Sequence, residues 1–144
     1  MHVGITGIGI YTPPARMTAA DLSAATGIPE EVIATKFGVK SKPVAGPDDT
    51  TAVMGVKAAR LAMQEAGIEG KDVDLVLWCG AQHKDYPCWL AGLYVANEIG
   101  AGNAWSFDME AMCGSMMAAL DIAKSMMLTR TDLETVLLVS GYRN

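Results

Sequence analysis

The chain reads as an α/β domain with a mostly parallel sheet. Apolar runs of strand length lie at 73–79, 104–107 and 135–140. Segments with helical spacing of apolar residues separate them. Strand and helix in alternation give parallel pairing, because each return crosses over a sheet face. Glycines stand where those helices must stop, as at Gly67 and Gly100.

Each element has a local reason. Residues 2–10 (HVGITGIGI) have strand composition and enter a loop over 11–17 that contains Pro13 and Pro14. Thr18 caps a short helix that runs to Thr26, with Asp21 completing an imperfect capping box, and Gly27 stops it. Pro29 suits a first helical position, and Glu30 and Glu31 suit a first turn. That second short helix runs to about Lys36, before Gly38. Residues 40–49 (KSKPVAGPDD) read as loop. Asp49 or Thr50 caps a helix over 51–66, whose Val53, Val56, Ala59, Ala62, Met63 and Ala66 share a face. Pro87 opens an apolar helix that reaches Ile99. A further helix spans 114–128, before the last strand.

Composition narrows the function. Hydrophobic residues make up 51% of the 144 and charged residues 19%, so the chain collapses and leaves apolar surface for a partner. Net charge is -5, which argues against general nucleic-acid binding. No apolar run reaches the roughly 18 residues of a membrane span. Nothing at the N-terminus reads as a signal peptide. Three cysteines at irregular spacing, Cys79, Cys88 and Cys113, make no disulfide framework, and a cytoplasmic location is the expectation.

The 114–128 helix carries only two charges, Asp121 and Lys124, and apolar residues around nearly its whole circumference. Such a helix is expected to be central and buried. Cys113 precedes it. Unpaired N–H groups and the positive dipole end stabilise a thiolate there, and the same N–H groups can hold an oxyanion during acyl transfer. Position alone leaves a buried structural cysteine as an equal reading.

Residues 107–120 (FDMEAMCGSMMAAL) resemble the nucleophile segment of the β-ketoacyl-acyl-carrier-protein synthase III family, in the thiolase superfamily. "GIGIYTPP" (7–14), "EEVIATKFGVKSK" (30–42), "TAVMGVKAARLAMQEAGI" (51–68), "VDLVLWCGAQHKDYP" (73–87) and "VLLVSGYRN" resemble further family segments, in order and without large gaps. The resemblance implies one half of a thiolase-like layered α-β-α-β-α fold, with the nucleophile helix sandwiched centrally. Residues 1–144 would be the N-terminal half-domain. The family's catalytic His and Asn come from the second half, and neither His2 nor His83 matches that His. No element follows the last strand to cover it, so either that strand is an edge or the fold is expected to continue in another segment.

The implied chemistry is a condensing acyltransferase. Cys113 takes an acyl group from acyl-CoA or acyl-ACP. A decarboxylative Claisen condensation with a malonyl thioester follows. The thioester is substrate, no resident cofactor or metal is expected, and the assembled enzyme is expected to be a homodimer. Lys36, Lys40 and Lys42 form the basic cluster of an acidic chain and can meet phosphates, although a solvated face explains them as simply. Val32 and Lys36 align with the family's adenine-stacking aromatic and its phosphate-side Arg. The stacking group is therefore absent from its aligned position, which leaves a carrier-protein thioester or a different CoA pose. Tyr86 falls where the family closes its acyl pocket and would favour a small primer. Met112, Met116 and Met117 can shape that pocket or serve as core. Glu110 departs from the family's small apolar residues. A hydroxymethylglutaryl-CoA synthase-like enzyme and a non-catalytic scaffold subunit of the same fold are the alternatives.

Three signals are rejected. Thr12 stands where a dinucleotide loop at Gly7 and Gly9 needs its third glycine, and Pro13 and Pro14 disfavour an immediate helix. Cys79, His83 and Cys88 lack a fourth zinc ligand. A cysteine protease would need His83 to reach Cys113, and no protease signature accompanies it.

Overall fold

The computed structural model describes residues 2–80 and 85–143, which form two compact units. His83, weighed above as a metal or protease residue, lies outside the described residues.

The smaller unit spans residues 12–49. Strand β1 (Arg16–Thr18) leads directly into helix α1 (Ala19–Thr26). The capping box at Thr18 forms in full: the Thr18 side chain accepts the Asp21 N–H, and the Asp21 carboxylate accepts the Thr18 N–H at 2.8 Å. Gly27, at φ 73°, ends α1 in the left-handed conformation that glycine adopts without strain. The expected second short helix is a wider π-type turn over Val32–Lys36, closed by the Phe37 N–H on the Val32 carbonyl. Residues 40–49 are not all loop. Strand β2 (Ser41–Pro43) pairs antiparallel with β1, Met17 opposite Lys42. Pro43 sits at its last position, in a two-stranded ribbon that has no further neighbour to need its missing N–H.

The larger unit spans residues 1–11 and 50–143. Its sheet has three parallel strands in the order β4 (Trp105–Asp108), β3 (Leu75–Trp78), β5 (Val136–Val139). Leu75 stands opposite Trp105 and Val136, and Trp78 opposite Asp108 and Val139. All four β3 residues are buried, as a central strand covered on both faces requires. Helix α3 (Ala91–Glu98) connects β3 to β4, and helix α4 (Ser115–Thr129) connects β4 back across β3 to β5. The two crossings run in opposite directions along the sheet, so right-handed connections put α3 and α4 on opposite faces. Packing agrees. Val95 and Ala96 of α3, with Val56, Ala59 and Met63 of helix α2 (Thr51–Ala66), pack against Val76, Trp78, Leu137 and Val139. Ala119 and Met116 of α4 pack with Leu77, Cys79, Phe107 and Leu138 on the other face.

In the larger unit the structure corrects three further expectations. Residues 2–10 join no strand ladder. They lie on α2 instead: a Cβ on Gly9 would come 2.0 Å from the Ala58 carbonyl oxygen, and one on Gly7 2.4 Å from that of Ala62. The Ile8 N–H, which a ladder would have used, donates to the Glu65 carboxylate at 2.8 Å. The helix expected from Pro87 begins at Ala91, because the Asp108 carboxylate accepts the N–H groups of Ala91 and Gly92 and so sets the first turn there. Helix α4 is not buried all round in this chain. Only Ser115, Ala119 and Ala123 are buried, one stripe at four-residue spacing, while Met117, Ile122 and Leu128 are exposed. The physical reason is the layering: a single sheet meets α4 along one side.

Candidate active site around Cys113

Ligand crevices of open parallel sheets lie beyond the carboxyl ends of the strands, between neighbours whose following helices leave on opposite faces. Here those neighbours are β3 and β4. The segment after β4 carries Cys113, and the segment after β3 carries Tyr86. Topology therefore puts both residues in the loops that flank the switch point.

Cys113 is exposed and sits in a single 3-10 turn, Met112–Gly114, that runs straight into α4. Gly114 at the N-cap brings no side chain to compete for the first N–H groups of the helix. The turn is unusual in its backbone. Met112 has φ 50°, a left-handed conformation that costs a non-glycine residue about 1 kcal/mol. Ser115, 2% exposed, grips this turn: its Oγ accepts the Ala111 N–H at 2.8 Å and its O–H donates to the Met112 carbonyl at 2.7 Å. The result is an exposed thiol on a tightly defined corner between a strand and a helix.

The other two thiols have different surroundings. Cys79, just beyond β3, is buried between Leu77 and Ala119. Its Sγ lies 3.3 Å from the Val139 carbonyl oxygen and 3.7 Å from Met116 Sδ. Burial pushes this thiol up to about 11, with the Val139 carbonyl contact as a smaller opposing influence, so it is a packing residue. Cys88 is exposed, at φ 57°, and lines an apolar groove of about 910 Å³ with Trp89, Leu90, Leu93 and Tyr94. Cys113 is not part of that groove. Tyr86 is exposed and meets Trp89 edge-on, ring centroids 5.2 Å apart.

The remaining sequence candidates fall into two groups. Met112 shares the Cys113 turn and is 70% exposed. Val32 and Lys36 share the π-type turn of the smaller unit, Val32 half-buried and Lys36 exposed. Phe37, directly after Lys36, is 61% exposed. An accessible aromatic ring therefore stands five positions from Val32, at a place that alignment to the family's stacking residue passes over. Among the described residues no group of three or more His, Cys, Asp or Glu side chains could hold a metal. No described helix is long and apolar enough to cross a membrane.

Sequence reasoning missed three polar residues that hold the site's framework. Asp108 starts α3 from the end of β4. Asp85 does the same for α2, accepting the Thr51 and Ala52 N–H groups and the Thr50 hydroxyl, each at 2.8 Å. Ser115 ties the Cys113 turn. The first two caps reach across 16 to 35 positions, so no local spacing reveals them.

No family model matches the chain. Individual proteins do. It is 34% identical over 128 residues to a β-ketoacyl-[acyl-carrier-protein] synthase III of Sulfurovum sp. (strain NBC37-1), covering 87% of this chain and 37% of that protein. The protein of the same name from Streptomyces lividans is 34% identical over 119 residues, 83% of this chain and 35% of its own length. Among solved structures, the priming β-ketosynthase of the R1128 polyketide biosynthetic pathway superposes with TM-score 0.80 at 33% identity, over 85% of this chain and 36% of its own. The 3-oxoacyl-[acyl-carrier-protein] synthase III of Aquifex aeolicus VF5 gives TM-score 0.83 at 29% identity, over 93% and 42%. The chain thus spans less than half the length of these relatives. Over most of its own length it is similar to β-ketoacyl-ACP synthases III, and its α/β architecture is part of the thiolase fold.

Proposed function

We propose that this chain, homologous to β-ketoacyl-ACP synthases III over a part of their length, carries the nucleophile of a condensing acyltransferase. The observation that supports it is Cys113: the thiol is exposed on a defined corner at the start of α4, beyond the carboxyl end of β4. The homology is to enzymes of acyl transfer, and the family resemblance falls on this same cysteine.

In the first half-reaction the Cys113 thiolate attacks the carbonyl carbon of an acyl thioester. A new carbon–sulfur bond forms, the carbonyl oxygen takes the negative charge, and the tetrahedral intermediate collapses as the carbon–sulfur bond to CoA or the carrier breaks, the leaving thiolate taking up from solvent the proton that Cys113 gave up on ionising. N–H groups at the start of α4 stabilise both the attacking thiolate and the oxyanion. In the second half-reaction a malonyl thioester loses CO2, and its carbanion attacks the acyl group on Cys113, forming a carbon–carbon bond and releasing a β-ketoacyl thioester and the Cys113 thiolate. Decarboxylation draws on a His and an Asn of a second half of the fold, which also covers the apolar residues that α4 leaves exposed. The reading needs no resident cofactor. It assigns Lys36 to the donor's phosphates, Val32 and Met112 to substrate contact, and Tyr86 to the end of a short acyl pocket. It gives the enzyme a homodimeric, cytoplasmic form and a place in fatty acid biosynthesis or a related ketide route.

Intact-mass measurement of the complete natural protein after exposure to short acyl-CoA or acyl-ACP tests the reading. One acyl group on Cys113, absent from Cys113→Ala, is the expected result. Equal labelling of Cys113→Ala, or no labelling of the wild type by either donor, overturns it and leaves a non-catalytic subunit of the same fold.

A further inference from the structure

We propose that Ser115 is a positioning residue for Cys113, its hydroxyl serving as the clamp that holds the nucleophile's turn in its working conformation. This rests on the reading of Cys113 as nucleophile. Three observations carry it. Met112 adopts φ 50°, yet its side chain is 70% exposed, so packing of that side chain does not hold the conformation. The Ser115 hydroxyl is buried and uses both of its functions on the turn, accepting from the Ala111 N–H at 2.8 Å and donating to the Met112 carbonyl at 2.7 Å. The Met112 carbonyl also accepts the Ser115 N–H, so the single serine closes the turn from two directions. Cys113 lies between the two gripped residues and Ser115 itself.

A chain without that hydroxyl keeps only backbone hydrogen bonds to set against the cost of a left-handed Met112. Relaxation to negative φ would turn Cys113 relative to the α4 axis. The thiol would then lose its alignment with the helix N–H groups that are to hold the charge of an attacked thioester carbonyl. The site would remain folded and accessible but would be less reactive.

The test compares wild type, Ser115→Ala, Ser115→Thr and Met112→Gly/Ser115→Ala in the complete natural protein. Two readouts are taken: the rate of Cys113 alkylation by iodoacetamide at fixed pH, followed by peptide mass, and the rate of Cys113 acylation by acyl-CoA or acyl-ACP. Ser115→Ala is expected to slow acylation about tenfold to a hundredfold, as misplacement of a reacting group does. Its alkylation should slow as well. Ser115→Thr, which keeps the hydroxyl, should restore both. Met112→Gly/Ser115→Ala should recover much of the alkylation rate, because glycine takes positive φ without a clamp. Unchanged rates in Ser115→Ala overturn the proposal, as does a loss that neither threonine nor the added Met112→Gly recovers, which marks a merely structural serine. If Ser115→Ala does not fold, Ser115→Thr and the double variant decide: alkylation near the wild-type rate in both supports the clamp, and slow alkylation in both overturns it. Failure of wild-type Cys113 to be acylated sinks the nucleophile reading instead, and the alkylation rates still judge the clamp.

Discussion

The Gly92 N–H donates to the Asp108 carboxylate at 2.9 Å, joining the first turn of α3 to the last residue of β4. The Ala91 N–H meets the other oxygen at 2.9 Å. The approach is so close that a Cβ on Gly92 would come 2.7 Å from Ser106 Oγ. One carboxylate thus sets where a helix begins, how near it sits to the sheet, and the end of the strand that leads to the Cys113 turn.

Asp108→Ala should therefore destabilise the domain by about 2 kcal/mol, the scale of a charged helix cap. Asp108→Asn, which keeps one acceptor, should lose about half of that. Urea unfolding midpoints measure both. Equal midpoints for wild type and Asp108→Ala would refute the capping role.

Packing at Gly55 gives a second expectation. A Cβ there would stand 2.6 Å from the Trp78 ring and 3.1 Å from Val139 Cγ1, and Trp78 is 1% exposed. Gly55→Ala should cost about 1–3 kcal/mol by overpacking. Gly102→Ala meets nothing within 4 Å and should stay within about 0.5 kcal/mol of wild type. Thermal melts of the two variants should differ accordingly; similar melting points would contradict the packing.

Acid should release Asp85 from α2. Burial raises the affinity of this carboxyl for a proton, but the Ala52 and Thr51 N–H groups and the Thr50 hydroxyl together outweigh it and hold the group below its ordinary value. A carboxyl depressed by folding contributes stability above its unfolded value, about 3.9, and loses it as pH falls through the folded value. Asp85→Asn should thus be less stable than wild type near neutral pH, and the gap should close on acidification. A gap that stays constant from pH 6 to pH 2.5, read by urea midpoints, would show that the charge plays no part.

The three thiols should separate by reactivity. With its thiol at about 11 and its sulfur buried, Cys79 should resist iodoacetamide at pH 8 in the folded protein, while Cys88 and Cys113 react. Peptide mass after brief alkylation reads this directly. Modification of Cys79 as fast as Cys113 would mean that the sheet does not shield it.

Features that close over a few residues are legible in the order of the residues alone. The Thr18 and Asp21 box, the left-handed stops at Gly27, Gly67 and Gly100 and the place of Cys113 before α4 all rest on bonds or conformations within one helical turn, and of the two candidate caps of α2, Asp49 and Thr50, it is Thr50 that forms it. The positions of β3, β4 and β5 followed from runs of apolar residues, since β3 is buried on both faces, whereas β1 and β2 lie in segments that read as loop. What depends on distant partners follows from the folded chain. Glu65 takes the Ile8 N–H across 57 positions and keeps residues 2–10 out of the sheet. Asp108 moves the start of α3 from Pro87 to Ala91. The sheet lies against one stripe of α4 and leaves Met117 exposed, where apolar composition had implied burial all round. The same layering separates a shielded Cys79 from an accessible Cys113. A turn is chosen by the torsions of its own residues, whereas a buried face or a carboxylate cap exists only after the chain has brought remote segments together.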